Sequence, residues 1–168
     1  QKLKKKFISL DFWDEKTFDI EKPIDNEDLK YLFKNKIPEI DKGIVEIKDI
    51  ARKVGKRSKV VVYSNKKEVD PVGACIGLGG KRIDDINKIL NDEVIEIIKW
   101  HQNIKKYIIS ALRIKNNYKI ILNEKRKIAE VIVPDNKISR VIGKKGLNVQ
   151  LASELTGWNI KIKTNNRR

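Results

Sequence analysis

Ile76-Gly77-Leu78-Gly79-Gly80-Lys81-Arg82 and Ile142-Gly143-Lys144-Lys145-Gly146 carry one pattern twice, with their first glycines 66 residues apart. Each stretch sets an apolar residue before G-x-x-G and a helical periodicity behind it. Glycine reaches left-handed backbone conformations and has no Cβ to block a close approach. A turn of exposed amides leading into a helix N-terminus is a place where an anion is stabilised. Taken singly, either loop fits a plain helix C-cap followed by a new helix. Two in matched contexts, in a chain with 38 Lys+Arg against 23 Asp+Glu, point instead to a duplicated phosphate-holding unit.

Working outward from the second loop, Ile104, Tyr107, Ile108, Ala111 and Leu112 form an amphipathic stripe with Asn103 as its N-cap. Tyr118, Ile120 and Leu122 alternate, a polar turn spans Asn123 to Lys127, and Val131 and Val133 complete a hairpin. A short helix ends at Gly143 and another runs from Leu147 to Leu155. Gly157 then supplies a stop before the strand alternation of Trp158, Ile160 and Ile162. The order is helix, strand, strand, helix, loop, helix, strand.

The first loop sits in a similar frame. Asp25 to Asp28 offer N-caps for a helix carrying Leu29, Leu32 and Phe33, which must stop by Pro38 and Gly43. Residues 44–54 fit a strand and a helix equally by periodicity; a strand is expected, because it makes the two units alike. Val60 to Tyr63 is a β-branched run, Pro71 opens a helix leading to Gly77, and Ile83, Ile86 and Leu90 share a helical face. Val94 to Trp100 reads as a strand buried on both sides. The expected division is 1–24, an irregular basic and aromatic arm or the end of a preceding domain; 25–100, a first domain; 103–164, a second; and 165–168, a basic tail. The connection Trp100-His101-Gln102-Asn103 lacks Gly and Ser and is expected to be stiff.

Net charge of +15 and a pI near 9.8 imply a polyanionic partner. No apolar run reaches the ~18 residues of a membrane-spanning helix, and no signal-peptide segment is visible, so a cytoplasmic location without membrane association is expected. The single cysteine, Cys75, excludes an internal disulfide and a Cys-rich zinc site, and reads as a small buried hydrophobe. The chain opens on Gln1, as an excised piece of a longer protein would.

Rival chemistries fail on spacing. A Walker loop ending at Gly80-Lys81 would need Gly where Cys75 stands and Ser or Thr where Arg82 stands. G-x-G-x-x-G from Gly77 also breaks at Arg82. His101 has no ligand partner at metal spacing and reads as a linker residue, and Asp84 and Asp85 point to different helix faces. Neither an enzyme activity, a metal nor a cofactor is expected.

Four stretches together resemble one family. Val69-Asp70-Pro71-Val72-Gly73-Ala74-Cys75-Ile76-Gly77, Val45-Glu46-Ile47-Lys48, Ile142-Gly143-Lys144-Lys145-Gly146-Leu147-Asn148-Val149 and Leu155-Thr156-Gly157-Trp158 look like the tandem KH region of the bacterial NusA transcription elongation factors, over residues 28 to 164. The resemblance implies an α+β fold of two prokaryotic-type (type II) KH domains, each a three-stranded sheet with helices on one face. It implies binding of nascent single-stranded RNA in pausing, termination and antitermination, with RNA polymerase and other transcription factors as partners. The family's RNA-contacting loops carry over onto Gly77, Leu78, Gly79 and Gly80, and onto Gly143, Lys144, Lys145 and Gly146, with Lys81, Arg82 and Asn148 flanking them. The first loop departs from the family in having Leu78 and Gly79 where a basic residue is common, which leaves phosphate attraction there to Lys81 and Arg82. Family members carry a polymerase-binding domain and an RNA-binding barrel ahead of the KH pair, and residues 1–24 are placed as the trailing edge of that barrel.

In such a module the loop backbone closes on about four nucleotides while bases lie over an aliphatic groove. Ile76, Ile83, Ile142 and Val149 are candidates for groove floor or core, and core is expected. Lys161 and Lys163 read as a wet sheet face. The main expectation is a non-catalytic, monomeric RNA-binding module; the alternative is a basic docking surface for an acidic protein, with structural loops.

Overall fold

Asp25 starts the first unit by capping its first helix: its carboxylate accepts from the Asp28 N–H at 2.7 Å, and the Asp28 carboxylate accepts in return from the Asp25 N–H at 3.4 Å. The computed structural model describes residues 7–11, 14–19 and 23–165, with side chains from residue 23 onward. Strands β1 (Phe7–Asp11) and β2 (Asp14–Asp19) pair antiparallel, Phe7 opposite Asp19 and Ile8 opposite Phe18. Of the two expectations for residues 1–24, an irregular arm or the end of a preceding domain, the paired backbone corrects the first alone. Lys2 and Lys4 to Lys6, and the end of the expected basic tail at 166–168, lie outside the described residues. The described residues divide into two compact units between Ile97 and Ile98, with the hairpin in the first and the boundary falling inside the last strand of the first three-stranded sheet.

In the first unit α1 (Asn26–Lys36) ends at Ile37, because the residue before a proline is held extended; Pro38 then opens the one-turn α2 (Pro38–Asp41). Residues 44–54, which periodicity left ambiguous, contain strand β3 (Glu46–Lys53), paired antiparallel with β4 (Arg57–Tyr63). Helices α3 (Pro71–Ile76) and α4 (Lys81–Ile89) flank the glycine loop, and β5 (Val94–Lys99) completes a sheet of order β3-β4-β5. Leu29, Leu32, Phe33, Val45, Val60, Val62, Cys75, Ile86 and Ile95 form its buried core. Each large member contributes about 1.5 to 3 kcal/mol by leaving water. Strand β5 departs from the expected apolar ribbon: Val94 is half exposed, and buried Glu96 sits between Ile95 and Ile97.

Buried charges in this sheet are paired. Arg52 donates from Nε and Nη2 to both carboxylate oxygens of Glu93, at 2.8 and 2.7 Å, and the Gly55 N–H donates to the same carboxylate at 3.1 Å. Burial alone would push the Glu93 carboxyl up, but Arg52 and the Gly55 amide outweigh it and hold it below its ordinary value. Lys59, fully buried, donates to Glu96 at 2.6 Å, and Arg57 pairs with the second oxygen of Glu96.

The second unit repeats the order. Helix α5 (Ile104–Leu112), capped by the Asn103 side chain, packs on α7 (Leu147–Thr156). The hairpin of β6 (Lys119–Asn123) and β7 (Ile128–Val133) is antiparallel, whereas β7 and β8 (Asn159–Thr164) run parallel. Parallel neighbours require a crossover, and this one is α6 (Ile138–Ile142), the glycine loop and α7. Alternate residues Ala129, Val131 and Val133 of β7 are buried with Ile108, Leu112, Leu151, Leu155 and Ile160. On the other side Lys161 is exposed and Lys163 reaches Glu130 at 2.5 Å, as expected of a wet face. Helix α7 ends at Gly157, whose φ of 74° is the left-handed stop. Among the described residues no helix is long and apolar enough to cross a membrane.

Candidate nucleic-acid interface

The two loops are built by the same backbone. Helices α3 and α6 end where Gly77 and Gly143 donate back to Gly73 and Ser139, each at 2.9 Å. A single 3-10 turn follows, closed by Gly80 N–H to Gly77 O and Gly146 N–H to Gly143 O, each at 3.0 Å. Gly77 lies at φ 79°, ψ 170° and Gly143 at φ 83°, ψ 165°, a region that only glycine occupies freely. Gly79 at φ 62°, ψ 19° matches Lys145 at φ 57°, ψ 25°. Gly80 at φ 76° matches Gly146 at φ 74°. Neither α4 nor α7 has a side-chain N-cap; the Lys81 and Leu147 N–H groups donate to the Leu78 and Lys144 carbonyls, and no side chain caps the amides that follow them.

The side chains on this common backbone differ. Leu78 is 97 % exposed, and its neighbour across Gly77, Ile76, is 38 % exposed. In the second loop Lys144 and Lys145 are exposed, and among the described residues neither has an ion-pair partner. Lys81, just after the first loop, donates to both oxygens of Asp85 at 2.9 and 3.1 Å, a hydrogen bond that lowers the Asp85 carboxyl. Of the four apolar residues expected in the core, Ile83 is partly buried against it, Ile142 and Val149 are half-buried, and Ile76 is exposed.

Arg82 and Asn148, which the sequence placed among RNA-contacting residues, are engaged inside their own units. Arg82 donates from Nη1 to the Ala74 carbonyl and to Glu39, both at 2.8 Å. Asn148 donates from Nδ2 to the Val141 carbonyl at 2.8 Å and to the Leu112 carbonyl at 3.0 Å. Each side chain thus ties the first turn after the loop to the last turn before it. A Cβ on Gly77 would meet Arg82 Cγ at 2.7 Å, and one on Gly143 would meet Asn148 Cβ at 2.7 Å and its backbone nitrogen at 2.9 Å. The leading glycine and the brace therefore share one space.

Glu39 and the Leu112 carbonyl, the distant ends of these braces, were not anticipated, since each lies more than 30 residues from its partner. Asp70 could have been: it caps α3 by accepting from Val72 N–H at 3.1 Å, and its carboxylate leaves no room for a side chain at Gly73. Cys75 lies fully buried beneath the loop, its thiol pushed up to about 12 by burial and then by the charge of Glu39. His101 is held below its ordinary value by burial and by Lys99 and Lys106.

Residues 24–100 match the family model of the NusA-like first KH domain, and residues 103–168 that of the NusA-like second KH domain. The chain belongs to the NusA-like tandem KH family. Its two units are α+β KH domains, each a three-stranded sheet with helices. Similar proteins include the transcription termination/antitermination protein NusA of Halalkalibacterium halodurans, 46 % identical over 136 residues, covering 81 % of this chain and 36 % of that protein. The protein of the same name from Bacillus subtilis is 43 % identical, with 81 % and 37 % covered. That from Rickettsia conorii is 40 % identical, with 84 % and 29 % covered. The chain thus spans about a third of the length of the NusA proteins it matches. The crystal structure of APE1850 shares the fold, with TM-score 0.52 at 19 % identity, covering 77 % of this chain and 95 % of that one.

Proposed function

We propose that this chain is a non-catalytic module that binds single-stranded RNA through both KH loops, within a transcription factor acting on nascent RNA in pausing, termination and antitermination. The observation that carries the reading is the residue-for-residue match of the two loop backbones, each with uncapped helix amides behind it. Phosphates would lie against those amides, with Gly77 and Gly143 allowing the approach and Lys144 and Lys145 adding charge in the second domain. RNA polymerase and further transcription factors are proposed partners through the kinship with NusA proteins. The module is proposed to act as a cytoplasmic monomer.

The test is the affinity of the chain for a labelled single-stranded RNA of about a dozen nucleotides, measured across salt concentrations. With about four nucleotides on each loop, eight phosphates at about 0.7 each give a logarithmic salt slope of ~5 to 6. Lys144→Asp with Lys145→Asp should reduce both affinity and slope. No RNA binding by the unaltered chain, together with capture of RNase-treated polymerase, would favour a protein-docking surface instead.

A further inference from the structure

We propose that the two KH loops hold RNA by different physics: the second by charge, and the first by apolar contact of Leu78, with Ile76 beside it, against the sugar or base of the nucleotide whose phosphate the loop amides receive. The inference rests on the RNA-binding reading and assigns each loop its part in it.

Three observations support it. The first is positional. Because the loop backbones coincide, Leu78 stands where Lys144 stands, and Gly79 where Lys145 stands. A nucleotide seated on the amides of either loop therefore meets these side chains at equivalent places.

The second is the charge around the first loop. Its two adjacent cations are already paired within this chain, Lys81 with Asp85 at the surface and Arg82 with Glu39. Asp84 lies against Gly80 as well. The second loop has two exposed lysines, and its brace, Asn148, is uncharged. The central loop positions therefore carry no charge in the first domain and two positive charges in the second.

The third is the cost of the side chains in place. Leu78 is almost wholly in water, where a leucine gains nothing from the fold. Lys145 is a non-glycine residue in left-handed backbone, where its counterpart Gly79 is unstrained. Such departures mark places where a side chain serves something outside the folded unit. An exposed apolar tip beside phosphate-holding amides suits the carbon face of a ribose or a base. Paired lysines suit the backbone charge.

The test uses the full chain and a fluorescein-labelled 12-nucleotide single-stranded RNA of mixed sequence, titrated from 50 to 300 mM salt. Four proteins are compared: unaltered, Leu78→Ala, Leu78→Lys, and Lys144→Ala with Lys145→Ala. Leu78→Ala should lower affinity about five- to tenfold through lost apolar burial, with the salt slope unchanged. The double lysine variant should lower the slope by about 1.4, two phosphates' worth. Leu78→Lys should raise the slope by about 0.7. Because Leu78 stands in solvent, melting temperatures should not move, and a shared Tm separates these effects from misfolding. Affinity unchanged in Leu78→Ala, or a slope lowered by that variant, would overturn the inference while leaving RNA binding intact. Absence of binding by the unaltered chain would sink the functional reading itself.

Discussion

The two KH domains share a fold and a loop backbone but differ in where they keep their charge. The first domain buries it: Arg52 with Glu93 and Lys59 with Glu96 lie inside its sheet, and the cations next to its loop are paired off. The second domain leaves its charge outside, with Lys144 and Lys145 on the loop and the Lys163–Glu130 pair on the half-exposed sheet face. Loop conformation and loop chemistry are thus encoded separately. Glycines at the ends of the loop, with Arg82 or Asn148 beneath them, set the first; the two central residues set the second.

The largest expected break in this comparison is in the buried pair. Glu93→Gln leaves the Arg52 guanidinium buried without its counter-charge and should cost about 3 kcal/mol in urea denaturation. Glu130→Gln, at the half-exposed pair of the second domain, should cost under about 1 kcal/mol. Equal costs would show that burial does not separate the two. The pH dependence follows from the lowered Glu93 carboxyl. A depressed folded-state value stabilises fully above the unfolded carboxyl range and is lost as pH falls through the folded value, so the chain should weaken in acid below about pH 4.5. Glu93→Gln should flatten the Glu93 part of that acid loss.

Next in size are the leading glycines. Gly143→Ala forces a Cβ into the backbone of Asn148 in a glycine-only conformation and should cost about 2 to 3 kcal/mol. Gly77→Ala meets Arg82 Cβ, Cγ and Cδ but no backbone atom among its nearest neighbours, and should cost about 1 kcal/mol less for that reason. A reversed order would mean that the Arg82 brace is the stiffer one.

The helix caps should show likeness where the loops show difference. Asp25→Ala and Asn103→Ala each remove a side-chain acceptor at the start of their domain's first helix, and each should lower stability by about 1 kcal/mol. Smallest is Lys145→Gly, which gives the second loop the residue found at the matching place in the first. Relief of left-handed strain against the added backbone freedom of glycine should leave it about 0.5 kcal/mol more stable. It should also bind RNA about fivefold more weakly at 0.1 M salt, through one lost phosphate contact. A lysine variant that lost stability would remove strain as a sign of function at this position.

Much of this was legible in the chain because the signals are local. Asn103, Pro71, Gly157 and the stripe from Ile104 to Leu112 act within a few residues of themselves, and each placed its element. The strand at 46–53 was reached only by matching the two halves, since Val45 and Ile47 alternate like a strand while Ile47, Ile50, Ala51 and Val54 fit a helical stripe; pairing with β4 decides between them. The bracing role of Arg82 and Asn148 was not legible for the opposite reason. A cation and an amide beside a glycine loop look like ligand contacts, and only the folded position of Glu39 and the Ala74, Val141 and Leu112 carbonyls shows them turned inward. Glu96 was hidden within an apolar run because its partners, Lys59 and Arg57, come from another strand.

The buried Cys75 has a practical consequence. It is the only cysteine of the chain, and it is walled off by the core with its thiol held protonated up to about pH 12, so it stays silent toward thiol reagents that attack exposed thiolates. A second cysteine introduced at position 78 or 144 would therefore be a single addressable handle. A fluorophore or spin label could be hung from either loop without first removing a native residue, and the two loops followed one at a time.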